Sequence, residues 1–324
     1  MVMAQTLFKI LKLQDPDSLI GVLAPDWSRP ILDRMPEVAK THVMPIGHGK
    51  LELKKRRTIA QTLQSEDYTQ AIVLPNSWKS ALIPWWAKIP KRTGFVGEGR
   101  FGLLNDARFL NKKRLPRMID RFAVLAYSHV NLLPHELPVP QLEVDPGSVK
   151  VALEKFNLNT EAQKPILALC PGAEFGASKR WPESYYAKVA KKKLKEGWSV
   201  WLFGSKNDQA VASAIQQQSG NGCVDLTGKT NLAEAIDLLS LAKLVVTNDS
   251  GLMHIAAALN RPLIAVYGST DPGFTPPLGP RSDIVRLSLP CSPCFKRQCP
   301  LQHHNCMQNL TPEKVLAAMD RAVV

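Results

Sequence analysis

The sequence predicts an α/β protein built on parallel sheets and divided into two domains. Short β-branched apolar runs alternate with helix-patterned stretches in both halves. A chain of 324 residues suits two domains at about 100–200 residues each. A proline cluster, Pro134, Pro138, Pro140 and Pro146, interrupts the middle of the chain. Proline lacks an amide donor and fixes φ, so no central strand or helix interior is expected through 132–147. The junction is placed there, giving domains 1–145 and 146–324.

The elements follow in order. Met3, Leu7, Ile10 and Leu11 keep helical spacing, so the chain opens in a helix. Leu19–Ala24 and Ala71–Leu74 read as buried strands of the first half. In the second half the strands are Ile166–Cys170, Val200–Phe203, Leu244–Thr247 and Leu263–Tyr267. Pro182–Glu196 reads as a helix with proline in its first turn, and Ser250–Leu259 as a helix directly after a strand. Thr311 as N-cap and Pro312 at the first helical position start a closing helix to Ala322. This last helix is expected to pack back on the first domain. No internal repeat is visible.

Composition narrows the function. The chain carries 41 Lys and Arg against 28 Asp and Glu, a net charge of +13, and is 45% hydrophobic. That excludes a disordered or fibrous chain. No apolar stretch reaches the roughly 20 residues that span a bilayer, and Lys9 and Lys12 break up the N-terminus as a secretory signal. A cytoplasmic protein is expected. Between Lys79 and Arg121 the acidic residues are only Glu98, Asp106 and Asp120, and Lys54, Lys55, Arg56 and Arg57 form a second basic run. Such surfaces attract phosphates, whether on a substrate or on lipid headgroups; without an RNP, zinc-finger or helix-turn-helix signature, nucleic acid is not expected.

Three loops follow predicted strands, the position where α/β sheets bind ligands. In LVVTNDSGLMH (244–254), Ser250 is placed to cap the following helix and Gly251 to let a ligand approach the backbone. Asp249 suits sugar hydroxyls, and His254 lies one turn further on. In CPGAEFGASKRWP (170–182), Gly172 and Ala173 offer amides, while Lys179 or Arg180 would neutralise a diphosphate leaving group. The third loop, FGSKND (203–208), brings Asp208, of a type that accepts ribose hydroxyls. An ordinary capped helix and plain strand-to-helix loops are the competing readings. GEGRFG (97–102) matches the dinucleotide fingerprint by letter only, since no strand leads in and no long helix follows. Walker A, nucleophile-elbow and HExxH sequences are absent.

Cys170 and Cys223 read as buried strand residues. Cys291, Cys294, Cys299 and Cys306 have C-x2-C-x4-C-x6-C spacing, with His303 and His304 inside. The cluster is zinc-like but lacks paired knuckles, and reduced packing cysteines are the favoured reading over metal or a reactive thiol loop. No metal and no cofactor is expected.

Beyond these local readings, the chain resembles the ADP-heptose-dependent lipopolysaccharide heptosyltransferases of glycosyltransferase family nine, the second-heptose group in particular. The stretches carrying the resemblance are VLPNSWKSALIPWWAKIPKRTGFVGEGRFGLLND (73–106), CPGAEFGASKRWPESYYA (170–187), NDSGLMHIAAALNRPLIAVYGSTDPGFTPPL (248–278) and CSPCFKRQCPLQHHNCM (291–307). It implies a GT-B fold, two Rossmann-like domains with a cleft between them. The second domain would bind ADP-heptose and the first the phosphorylated heptosyl-Kdo2-lipid A acceptor, at the cytoplasmic face of the inner membrane and as a monomer. The implied reaction is inverting and metal-free.

Carried over by motif, Lys179 stabilises the diphosphate and Asp208 holds the ribose. Asp249, Ser250, Gly251 and His254 line heptose and phosphates, and Lys179 and Asp249 are the catalytic candidates. Lys79, Arg92 and Arg100 are the acceptor candidates. The pattern departs from the family at the start. Members begin with a strand and a Gly-Asp loop before the helix containing MVMAQTL, so a first strand and loop are expected to be missing. The acidic residue of that loop is the family's proposed base. Asp15 and Asp17 lie about 20 Å away along the helix at about 1.5 Å per residue. The alternatives are therefore a catalytically impaired sugar-nucleotide or lipopolysaccharide-binding protein, or a related transferase with another acceptor.

Overall fold

A computed structural model describes residues 1–158 and 164–322. By contacts the chain divides into Met3–Pro138 and Val139–Val324, a division inside the proline-rich segment.

In the first unit a helix, Gln5–Gln14, precedes the first strand and buries Leu7, Phe8 and Ile10. Thr6 donates its hydroxyl to the Pro138 carbonyl at 2.9 Å, tying the two ends of the unit together. The strands are β1 (Ile20–Ala24), β2 (Val38–Val43), β3 (Gln70–Val73), β4 (Lys91–Phe95) and β5 (Asp106–Arg108). They form two parallel sheets, β1-β2 and β3-β4-β5. Between strands run helices Leu53–Gln64 and Trp78–Trp86, whose Ala60, Leu63 and Ile83 pack with Ala87 and Ile89. Contrary to expectation a strand, β4, does lead into GEGRFG, but the segment makes a turn and no helix: a side chain at Gly97 would lie 2.0 Å from the Asn76 carbonyl, and Gly99 and Gly102 have φ of +67° and +79°.

The second unit is regular. Its strands are β6 (Ile166–Cys170), β7 (Ser199–Leu202), β8 (Val224–Asp225), β9 (Leu244–Asn248), β10 (Leu263–Tyr267) and β11 (Ser282–Arg286). All pair in parallel in the order β11-β10-β9-β6-β7-β8, the Rossmann order. The order reverses between β6 and β9, so the chain leaves these neighbours in opposite directions. A crevice opens beyond their carboxyl ends, and Cys170 pairs with Thr247 at its brink. Every residue of β6, β9 and β10 is buried, which explains why each reads as an unbroken apolar run.

Proline 146, read as a breaker, instead sits in the first turn of helix Pro146–Lys155, with Asp145 as N-cap accepting from the Ser148 amide at 2.7 Å. That position needs no proline N–H, so the residue that ends the linker also starts a helix. The closing helix Pro312–Ala322, expected on the first half, lays its buried Val315, Ala318 and Met319 against β10, β11 and helix Glu183–Lys195 of its own unit.

Candidate functional site

The loops after β6, β9 and β10 meet at the switch point. Lys179 reaches from the β6 loop to Asp249 after β9, with Nζ 2.6 Å from Oδ2. Thr270, after β10, donates its hydroxyl to the same oxygen at 2.6 Å. The pair is largely enclosed, at 14% and 5% side-chain exposure, so it is screened less than a surface pair. Lys179 Nζ also lies 4.9 Å from the centre of the Phe175 ring, a cation–π contact.

Asn248, the last residue of β9, holds this geometry and is a residue that sequence reasoning missed. Its Oδ1 accepts from the Trp181 amide at 3.2 Å and the Tyr186 hydroxyl at 3.1 Å, while Nδ2 donates to the Pro171 carbonyl at 2.7 Å. One fully buried amide thus joins both ends of the β6 loop to β9. Only its place beside Asp249 hinted at a role, because an Asn ending an apolar strand also fits an ordinary turn.

Gly172 and Asp208 come together between the β6 and β7 loops. A Cβ on Gly172 would stand 2.6 Å from Asp208 Oδ2, so glycine is required for this approach. Asp208 is 8% exposed, and its Oδ2 accepts from the Ser205 amide at 2.9 Å and hydroxyl at 2.7 Å. Neither Gly172 nor Ala173 donates its amide to another described residue. Ser250 departs from expectation. It occupies the N-cap position of helix Gly251–Ala258 without making a side-chain cap, since its hydroxyl turns to Thr247 Oγ1 at 3.3 Å. The helix's first amides are left free of side-chain capping, and the space beside Gly251 is open. His254 Nδ1 is buried without a partner among the described residues. Burial lowers its pKa to about 4, against the opposite pull of Asp249, so the imidazole is neutral at physiological pH.

The acceptor candidates fare differently. Arg100 is 1% exposed, and its guanidinium donates to the carbonyls of Phe95, Pro75 and Ser77. It ties loops together and presents no face to a ligand, which corrects its assignment. Arg92 likewise donates to the Leu103 and Ile89 carbonyls, both at 2.7 Å. A planar fork of five donors suits such clusters of carbonyls, and a charged residue's burial cannot be told from its letter. Lys79, half-buried, donates to the Gly49 carbonyl at 2.6 Å. Within the basic run, Arg56 turns inward to the carbonyls of Leu51, Lys50 and Lys79.

Cys170 and Cys223 are buried, as expected, and burial raises both thiols. The other four, with His303, His304, Ser178 and Ser269, line a cavity of about 20 Å³. Burial first, then the neighbouring Cys294, Cys291 and Cys299, raises the Cys306 pKa, whereas backbone amides led by that of His304 lower Cys299. No group of three or more His, Cys, Asp or Glu among the described residues is arranged to hold a metal ion.

Residues 56–305 match the family model described as glycosyltransferase family 9 (heptosyltransferase). The chain is 44% identical to lipopolysaccharide heptosyltransferase 2 of Salmonella typhimurium, over 98% of this chain and 93% of that one. It is 49% identical to lipooligosaccharide heptosyltransferase 2 of Haemophilus influenzae, over 89% and 85%. The solved structure of Escherichia coli ADP-heptose LPS heptosyltransferase II superposes with a TM-score of 0.87 at 41% identity, covering all of this chain and 95% of that one. With the Rossmann-type sheet and its loops at the switch point, these matches establish that the chain belongs to glycosyltransferase family 9.

Proposed function

We propose that the chain is an inverting glycosyltransferase that moves L-glycero-D-manno-heptose from ADP-heptose onto the first heptose of the lipopolysaccharide inner core. The observation that carries this reading is the buried Lys179–Asp249 pair at the carboxyl end of a Rossmann-type sheet. The high identity to heptosyltransferases 2 over nearly the whole chain supports the choice of sugar and acceptor.

The chemistry follows from charge. An acceptor hydroxyl attacks the anomeric carbon and gives up its proton to water, the bond to the diphosphate oxygen breaks, and ADP departs with an added negative charge. Lys179, the free amides at Gly172 and Ala173 and the helix start at Gly251 are positive features fixed before reaction, which stabilise that developing charge without reorganising. Asp249, anchored through Oδ2, keeps Oδ1 for sugar hydroxyls. Neutral His254 and the Ser250 hydroxyl lie beside it, at and just after the start of the same helix. Asp208 takes the ribose at the end of β7, where an acidic residue serves that purpose in other Rossmann sites.

The first unit takes the acceptor, its basic surface matching Kdo carboxylates and phosphates, with half-buried Lys79 and Arg92 the remaining candidates of the three. The same surface brings the protein, as a monomer, against the anionic face of the inner membrane. No helix among the described residues is long and apolar enough to cross a membrane.

The test is transfer from ADP-heptose to defined acceptors, followed by mass spectrometry. Addition of one heptose to heptosyl-Kdo2-lipid A, with little addition to Kdo2-lipid A, supports the reading. The reverse preference overturns the acceptor assignment.

A further inference from the structure

We infer that Arg297, from the cysteine-bearing segment, is a second cation of the donor-diphosphate site. The inference rests on the donor reading above and adds a residue to it.

Charge balance raises the need. Asp249, 2.6 Å away, already offsets the charge of Lys179, so the pair is close to neutral as a unit. A nucleoside diphosphate carries several negative charges and gains more as the glycosidic bond breaks. One compensated lysine is a weak match for it.

Geometry supplies the answer. The Arg297 guanidinium lies 5.6 Å from the centre of the Phe175 ring, the ring that also carries Lys179 at 4.9 Å. Phe175 therefore holds both cations near one loop. Unlike Lys179, the Arg297 guanidinium has no hydrogen bond or ion pair to another described residue and is exposed to solvent. Its charge is uncompensated and its fork is open for bidentate contact with phosphate.

The backbone beneath it is built into the site. The Ser178 amide donates to the Arg297 carbonyl at 3.2 Å, and the Ser178 hydroxyl donates to the Lys296 carbonyl. Gly176, with φ of +154°, packs so closely that a Cβ there would lie 2.4 Å from the Arg297 oxygen. On the other flank the amides of Cys294 and Phe295 donate to the Ser269 carbonyl at 3.1 and 2.7 Å. Ser269 precedes Thr270, which holds Asp249, and Ser178 precedes Lys179. Residues 294–297 are thus clasped by the two loops that carry the buried pair, so Arg297 is mounted on the donor site.

The experiment titrates the purified full chain with ADP and AMP by calorimetry at low and moderate salt, using wild type, Arg297→Ala, Arg297→Lys and the neighbouring control Lys296→Ala. Removing Arg297 is expected to weaken ADP about tenfold, as for a charge-assisted contact, and AMP by much less. Lysine should restore part of the loss, the control should stay within about twofold of wild type, and the salt dependence of ADP binding should flatten in Arg297→Ala. The variant should raise the donor KM more than it lowers kcat. ADP affinity within about twofold of wild type, in a variant with unchanged melting temperature, overturns the inference alone. A wild-type chain that binds neither ADP nor ADP-heptose overturns the donor reading beneath it. Normal ADP binding combined with weakened acceptor use would move Arg297 to the acceptor and also overturn the inference.

Discussion

Lys179 and Asp249 stand 70 positions apart in the chain, yet their charged atoms lie 2.6 Å apart. They come from loops that leave adjacent strands at the point where the sheet order reverses. The ion pair ties these loops together, and its proposed role toward the donor separates experimentally from that structural one.

Lys179→Ala leaves a carboxylate of 5% exposure with Thr270 as its remaining side-chain partner. Breaking a largely buried pair in this way should cost about 3 kcal/mol of stability. Lys179→Met with Asp249→Asn should recover most of that loss in urea denaturation. ADP affinity should fall by about 1.5–3 kcal/mol in the single variant, because the phosphate loses a charge-assisted contact. Undiminished ADP binding would take Lys179 out of the donor site.

Asn248 should prove a positioning residue. Asn248→Ala removes an acceptor for two donors and a donor to the Pro171 carbonyl, at an expected cost of about 2–4 kcal/mol. Asn248→Asp keeps the accepting oxygen but turns a second oxygen toward that carbonyl, so the near-isosteric change should also destabilise. Equal urea midpoints for wild type and Asn248→Asp would contradict this arrangement.

Arg100 should matter for folding and little for acceptor recognition. Its fork joins the Phe95 carbonyl at the end of β4 to the Pro75 carbonyl in the loop after β3, and lysine cannot reproduce that pattern. Arg100→Lys should therefore lower the melting temperature nearly as much as Arg100→Ala, while the acceptor KM of the folded fraction stays near wild type. A large KM effect with unchanged melting would restore Arg100 as an acceptor contact.

His254 should give stability a pH dependence of definite sign. Burial lowers its folded pKa to about 4 from an ordinary 6.5, so between those values the unfolded chain binds the extra proton. Stability from this group is present above about pH 6.5 and is lost as pH falls toward 4, by up to about 3 kcal/mol. His254→Gln cannot titrate there and should show a flatter decline in urea midpoint over that range. Parallel declines would mean that the imidazole does not stay neutral on folding.

Much of the second unit was legible because its strands are buried on both faces. Ile166–Cys170 and Leu263–Tyr267 read as continuous apolar runs, and the loops between strand and helix announced themselves by Gly, Pro and Asp. The first unit hid more. Val38–Val43 and Lys91–Phe95 carry Lys, His and Arg on partly exposed positions, so neither presents the apolar signature of a strand. Side-chain roles set by tertiary contacts were also hidden. Arg100 looked like a ligand contact, the Ser250 hydroxyl turned away from its helix, and Asn248 drew no attention. For Arg100 and Asn248 the deciding partners include residues remote in sequence and backbone carbonyls exposed by the fold, whereas for Ser250 the competitor is the hydroxyl of Thr247 three residues earlier.

The account turns on donor binding by the second unit followed by heptose transfer, so the most direct measurement is a coupled pair on one preparation. Wild type and Lys179→Ala would be assayed for ADP-heptose binding and for mass gain on heptosyl-Kdo2-lipid A. The account predicts that wild type binds the donor and adds one heptose, and that the variant loses both together. Heptose transfer by Lys179→Ala at the wild-type rate, or wild type that transfers another sugar in preference to heptose, would contradict it.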